Sequence, residues 1–451
     1  MADQTAFPTF PAGFVWGAAT ASYQIEGAAD EGGRGRSVWD TFAHTPGRTK
    51  DGETGDVACD HYHRYPEDIA LMADLGLDAY RFSIAWTRIQ PDGTDAPNAD
   101  GIAFYDRLTD ALLERGIAPH ATLFHWDLPQ ALEDAGGWLN RDTTERFAEY
   151  AGHVHAALGD RVARWITLNE PFVHTVYGYA LGVHAPGKAL LGGAFPVAHH
   201  QLLGHGLAVR ALRDAGAAEI GITQNMAPTW PASDGADDRT AAARLDAIQN
   251  GTYSDPVLLG RYPDHLESLY PGGDLSVIRD GDLDIISAPI DFLGVNYYAP
   301  NQVRAASAEN PMGFDLVPIK DVEYTGFNWP IVPSAFTELL LALRAKYGDA
   351  LPPVYITENG AAFTDEPDAD DRVTDDRRIA YLDSHLRAVH AAIEAGVDIR
   401  GYFCWSLLDN FEWAEGYSQR FGLVRVDFDS LRRTPKASYD WYRDVIARTG
   451  R

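Results

Sequence analysis

The feature that most restricts how this chain can fold is an alternation of two hydrophobic periods, repeated eight times. Short apolar runs of strand character fall at 14–19, 79–85, 118–124, 165–168, 220–224, 292–295, 354–357 and 400–405. Helical periodicity occupies 66–75, 102–115, 141–158, 197–215, 238–259, 333–347, 375–395 and 435–448. Uniformly apolar runs suit strands buried on both faces, and the segments between them are long enough for parallel crossovers. Eight such units close most simply into a (β/α)8 TIM barrel, an α/β fold. Three helices end where a glycine follows the last periodic residue, at Arg115-Gly116, Ala215-Gly216 and Ala395-Gly396.

No Pro/Ser-rich linker or low-complexity tract divides the 451 residues, so 1–451 reads as one barrel domain. The acidic stretch 365–371 reads as a solvated loop before a helix. Two connections exceed what the scaffold needs: 299–333, and 407–433, whose 421–428 portion alternates like an extra strand. Long loops at the C-terminal face of a barrel are where a site is built. Asp and Glu number 65 against 37 Lys and Arg, a formal charge of -28. That charge repels nucleic acid and anionic lipid. Cys59 and Cys404 are too few for a disulfide framework and read as reduced core residues. The first residues lack a basic start followed by an apolar stretch, and no run reaches the length of a membrane span, so a cytoplasmic location is expected.

Each strand-like run delivers a polar or aromatic residue to its C-terminal end. In order these are Gln24, Arg81, His125 with Trp126, Asn169 with Glu170, Asn225, Asn296 with Tyr298, Glu358, and Trp405 with Glu412 and Trp413 just beyond. A single polar residue at a strand end commonly serves a local hydrogen bond; eight sets converging on one mouth call for another reason. Two carboxylates among amide, indole and imidazole groups, without a metal cluster, suit cleavage of a glycosidic bond. One acid must be protonated for the leaving oxygen and the other ionised toward the anomeric carbon. Burial and mutual repulsion raise one pKa, and a neighbouring cation holds the other carboxylate charged; Arg81 is the candidate cation.

At these residues the chain resembles family 1 glycoside hydrolases of the β-glucosidase type. The resemblance rests on FVWGAATASYQIEG at 14–27, TLNEP at 167–171, GVHAPG at 182–187, ITENG at 356–360 and WSLLDNFEW at 405–413. It implies a retaining double displacement with Glu358 as nucleophile and Glu170 as acid/base. Arg81, Asn169, Asn296 and Tyr298 would support them, with Asn169 meeting the sugar 2-hydroxyl. Gln24, His125, Trp126, Glu412 and Trp413 would hold the other glycone hydroxyls above Trp405, and Phe172, His184, Asn225 and Trp329 would line the aglycone side. The related 6-phospho-β-glycosidases carry serine where Glu412 stands and Lys-x-Tyr where Gln419, Arg420 and Phe421 stand. The implied substrate is therefore an unphosphorylated β-glucoside or cello-oligosaccharide, with no cofactor.

Four alternatives stay in view. A broader β-glycosidase active on galactosides or fucosides, or a transglycosidase, would share the same residues. A metal-dependent barrel hydrolase could use His61-x-His63 or His153-x-His155, but neither pair follows a strand end, and His199 and His200 read as helix surface and core. A non-catalytic glycan-binding protein would need neither glutamate. Whether copies associate into a homo-oligomer is not legible in the sequence.

Overall fold

The computed structural model describes residues 7–307, 310 and 312–449. Residues 308, 309 and 311 of the expected 299–333 loop, and both ends of the expected 1–451 span, lie outside them. Eight parallel strands close a barrel: β1 (Val15–Ala19), β2 (Ala79–Ser83), β3 (Ala118–Phe124), β4 (Arg164–Asn169), β5 (Ile220–Asn225), β6 (Phe292–Asn296), β7 (Val354–Asn359) and β8 (Ile399–Trp405). They pair in sequence order, and β1 pairs with β8 to close the ring. Every expected strand is present within about one or two residues at each end.

Helices follow the expected order, with two informative departures. The segment expected as one helix over 238–259 is Ala236–Asp246, a π-helical turn at Ala247–Gly251, then Thr252–Leu259. The turn places Gln249 and Asn250 inward, where their amides bond the β5 end and the residues after it. A second π-helical stretch, His174–Ala180, follows β4. The glycines at 116, 216 and 396 have φ of +74°, +95° and +90°, the left-handed geometry expected of them.

The extra strand expected within 421–428 is Val424–Asp427, paired antiparallel with Arg432–Pro435. The 299–333 connection contributes Asn301–Ala305 and Phe314–Leu316 to a small rim sheet with Thr229–Pro231. Two local expectations are corrected. Asp365 is buried and ion-paired rather than solvated, because Arg378 and Lys436 reach it beneath the loops. His199 is buried rather than at the surface, bonded to Tyr262 and Asp282. Both cysteines are free and buried. No helix among the described residues is long and apolar enough to cross a membrane.

Candidate active site

Glu358 sits near the end of β7, which starts after Pro352-Pro353 and buries every residue from Val354 to Asn359. Asn359 anchors that end, donating to Tyr297 O at 2.7 Å and accepting from Tyr402 Oη at 2.8 Å. Both oxygens of Glu358 are occupied: Arg81 donates to Oε1 at 2.5 Å and Tyr298 to Oε2 at 2.6 Å. Glu170 lies just past β4 with φ +47°, a strained backbone that precedes Pro171 and aims its side chain across the mouth. Its Oε1 accepts from Asn296 at 2.7 Å and from Asn225 at 3.1 Å.

Strand register explains the convergence, because Asn225 pairs with Asn296 and Asn296 with Glu358 across β5, β6 and β7. Both glutamates are almost fully buried, at 4% and 3% exposure. Burial first, and then the charge of Glu358, pushes the Glu170 carboxyl up to about 8. Burial raises Glu358 as well, opposed by Arg81, Tyr298 and Asn296. The difference between the two lies in their partners. Glu358 touches a guanidinium, whereas Glu170 touches neutral amides, so a single proton shared between them belongs on Glu170.

Asn169 ties the two halves together. Its Oδ1 accepts from Arg81 at 2.6 Å and Asn296 at 3.1 Å, which leaves Nδ2 as the donor facing His125 Nε2 at 3.0 Å. His125 must accept there, so its proton is on Nδ1. That atom is buried without a protein partner, and burial together with Arg81 keeps the ring neutral. Gln24 gives Nε2 to Asn410, Phe411 O and Glu412, and leaves Oε1 buried and unpartnered. A neutral donor and a neutral acceptor, both buried and without a protein partner, line this side of the mouth. They suit the alternating donor and acceptor needs of vicinal hydroxyls.

The aromatic residues divide into two groups. Trp405, His125 and Trp413 form a stack, with ring centroids 6.0 Å and 5.8 Å from His125, and Trp126 lies 4.6 Å from Trp413. The Trp126 indole N–H goes to Asn169 O at 2.8 Å, so what it offers a ligand is its face. Outward from these, His184 packs between Trp126 and Tyr177, and Phe172 lies against Tyr177 and Tyr253. Trp329 packs 5.0 Å from Tyr298 and 5.9 Å from Phe421. Glu412 follows β8 on a loop, and burial, then the charge of Glu358, pushes it up to about 8.

The sequence pointed to the two glutamates and the polar and aromatic residues at the strand ends, but not to Tyr177, Tyr253, Asn410 or the side chains that support them. Gln249 donates to Asn225 Oδ1 at 3.0 Å and accepts from Asn301 at 2.8 Å, and Thr357 donates to Asn296 Oδ1 at 2.7 Å. Gln249 lies in a π-helical turn whose inward residues a 3.6-residue period does not mark, and Tyr177 is the exposed residue of the other π-helical stretch. Three of the four paired histidines are engaged elsewhere, His61 with Asp68, His63 with Asp60 and Glu31, and His153 facing Glu149, while His155 packs against Trp165. Among the described residues no three His, Cys, Asp or Glu side chains are grouped to hold a metal.

A parallel eight-stranded barrel with a cation-bound carboxylate after one strand and an amide-bound carboxyl after another defines a class of acid-pair barrel enzymes. Residues 7–451 match the Glycosyl hydrolase family 1 pattern, and the chain belongs to that family. It is 48% identical over 446 residues to Beta-glucosidase A of Acetivibrio thermocellus, covering 98% of this chain and 99% of that one. It is 47% identical to a Bifunctional beta-D-glucosidase/beta-D-fucosidase of Bifidobacterium breve, covering 97% and 98%. The crystal structure of a psychrophilic beta-glucosidase from Micrococcus antarcticus superposes with a TM-score of 0.95 at 47% identity, covering 98% of each chain.

Proposed function

We propose that this chain, as one barrel domain, is a retaining β-glucosidase acting on terminal non-reducing β-D-glucosyl residues of unphosphorylated glucosides and short oligosaccharides. The observation that carries the reading is the asymmetry of the acid pair, Glu358 bound by Arg81 and Tyr298 and Glu170 by amides alone. In the first step Glu358 attacks the anomeric carbon while Glu170 passes its proton to the glycosidic oxygen, and the aglycone leaves. The covalent glycosyl-enzyme is then opened by water, whose proton returns to Glu170. Arg81 and Tyr298 orient Glu358, and Asn169 is set to meet the 2-hydroxyl. His125, Gln24, Trp413 and Glu412 take the remaining hydroxyls, with Trp405 beneath the ring and Trp126 presenting its face. Asn225 and Asn296 orient Glu170, and Phe172, His184 and Trp329 flank the leaving group.

The Bifidobacterium breve relative's name favours a second substrate, a β-fucoside, at the same site. A sugar or alcohol that intercepts the glycosyl-enzyme would give transglycosylation. A 6-phosphate would bring its negative charge into the pocket against Glu412, where burial already disfavours charge on that carboxyl, and is disfavoured there. The decisive measurement is kcat/KM on aryl β-glucoside, β-fucoside, β-galactoside and 6-phospho-β-glucoside. The glucoside should lead and the 6-phosphate should be inert. Glu358→Ala should abolish turnover, and azide should restore it with an α-glycosyl azide product. Near-normal activity of that variant would remove the nucleophile assignment.

A further inference from the structure

Asp409 and Asn410 belong to the segment that carries Trp405, Glu412 and Trp413, yet the mechanism above uses neither. Asp409 is completely buried. Its Oδ1 accepts from Lys436 Nζ at 2.7 Å and from the Gly422 amide at 2.9 Å, and its Oδ2 accepts from Arg420 at 2.9 Å. Lys436 also reaches Asp365 at 2.6 Å, and Arg378 bridges Asp365 at 2.6 Å and Asp375 at 2.5 Å. Three carboxylates and three cations thus form one formally neutral cluster. They come from the loop after β7, helix Asp376–Glu394, the loop after β8 and the entry to helix Ala437–Thr449.

Burying five of these ions, with Arg420 partly exposed at the edge, is no efficient source of stability, since well-packed apolar side chains of similar volume usually do as well or better. What the cluster does achieve is geometric. It grips the loop after β8 at both ends, Asp409 at one and Arg420 with Gly422 at the other, and Asp409 N donates to Val424 O at 2.9 Å between them. Glu412 and Trp413 lie on the arch so pinned. Asn410, next to Asp409, accepts from Gln24 at 3.0 Å and donates to Ser406 Oγ and Leu408 O, which ties the arch to the glycone wall.

We propose that Asp409, held by Lys436 and Arg420, is a positioning residue for glycone selection, fixing the arch so that Glu412 meets the outer hydroxyls of the sugar. The inference rests on the β-glucosidase reading and on Glu412 accepting from O4 and O6. A merely structural cluster would affect all substrates alike, whereas a positioning role affects those that have a 6-hydroxyl.

The test compares kcat/KM for an aryl β-D-glucoside and its 6-deoxy analogue in wild type, Asp409→Asn, Arg420→Met and Glu412→Gln. Loss or misplacement of the Glu412 contact with the 6-hydroxyl should lower the glucoside to 6-deoxyglucoside ratio about tenfold in Glu412→Gln and by a similar factor in Asp409→Asn. Asp409→Asn added to Glu412→Gln should narrow the ratio no further. A parallel loss on both substrates, or a wild-type ratio in a folded variant, overturns the proposal. Should Asp409→Asn not fold, Arg420→Met decides, because it removes the bonds to Asp409 and Val426 O from a side chain that is itself partly exposed. An unchanged ratio in Glu412→Gln would remove the role given to Glu412, and this inference with it. Wild-type enzyme inert on both aryl glycosides would instead overturn the proposed function.

Discussion

At the scale of the residue, the central fact is a set of three buried carboxyls, two of which hold their protons to about pH 8. In the proposed mechanism Glu170 must be protonated to serve a poor leaving group, so that service should be lost as pH rises through about 8. The ratio of kcat/KM for an alkyl glucoside to that for an activated aryl glucoside should therefore fall across this range. Titration of Glu412 affects both substrates alike and cancels in the ratio. A ratio independent of pH would show that Glu170 is not the acid. The same shifts are linked to stability. Glu412 releases its proton near 4.5 in an unfolded chain and near 8 when folded, so folding loses stability as pH rises between those values. Glu412→Gln cannot titrate, and its Tm relative to wild type should climb by about 4 °C from pH 5 to pH 8, a span over which each pH unit is worth up to about 1.4 kcal/mol. An advantage that is the same at both pH values would contradict the raised pKa. The active site is thus held at the expense of stability, as strained sites commonly are.

At the scale of the element, function depends on the level at which strand ends meet. Glu358 and Trp405 end adjacent strands, and Gly360 passes so close that a Cβ there would lie 1.7 Å from the Trp405 carbonyl oxygen. That contact is with backbone, which cannot swing away. Gly360→Ala should force β7 and β8 apart at the mouth, lowering Tm and reducing kcat/KM by at least about tenfold through displacement of Glu358. Unchanged kinetics would show that the strand ends are not rigidly coupled. The eight strands, the order of the helices and both glutamates were legible in the sequence, because parallel strands are apolar throughout and a carboxylate that ends one stands out. The supports were not. Gln249 is brought to Asn225 by a π-helical turn within what reads as one helix, and Asp365 looks like one more acid in a solvated run. Its partners Arg378 and Lys436 lie in other segments, so only the folded chain brings the three together.

At the scale of the whole molecule, two electrostatic regimes coexist. The Arg378–Asp365 and Lys436–Asp409 pairs beneath the mouth are buried, so added salt scarcely reaches them. The outer surface carries most of the excess of 65 acids over 37 bases, and the compact state brings those like charges together. Exposed pairs such as Arg372–Asp370 and Arg400–Asp398 each contribute at most about 1 kcal/mol and weaken in salt. The net repulsion of the surplus surface acids is screened by the same ions and, with acids far outnumbering bases, is expected to outweigh the lost pairing. Raising NaCl from about 10 mM to about 300 mM, where the Debye length falls from about 30 Å to about 6 Å, should therefore raise Tm by several degrees at neutral pH. The gain should shrink toward pH 5, where protonation of surface carboxylates has already reduced the charge. A fall in Tm with salt would mean that surface pairing, rather than excess acidity, dominates the stability of this barrel.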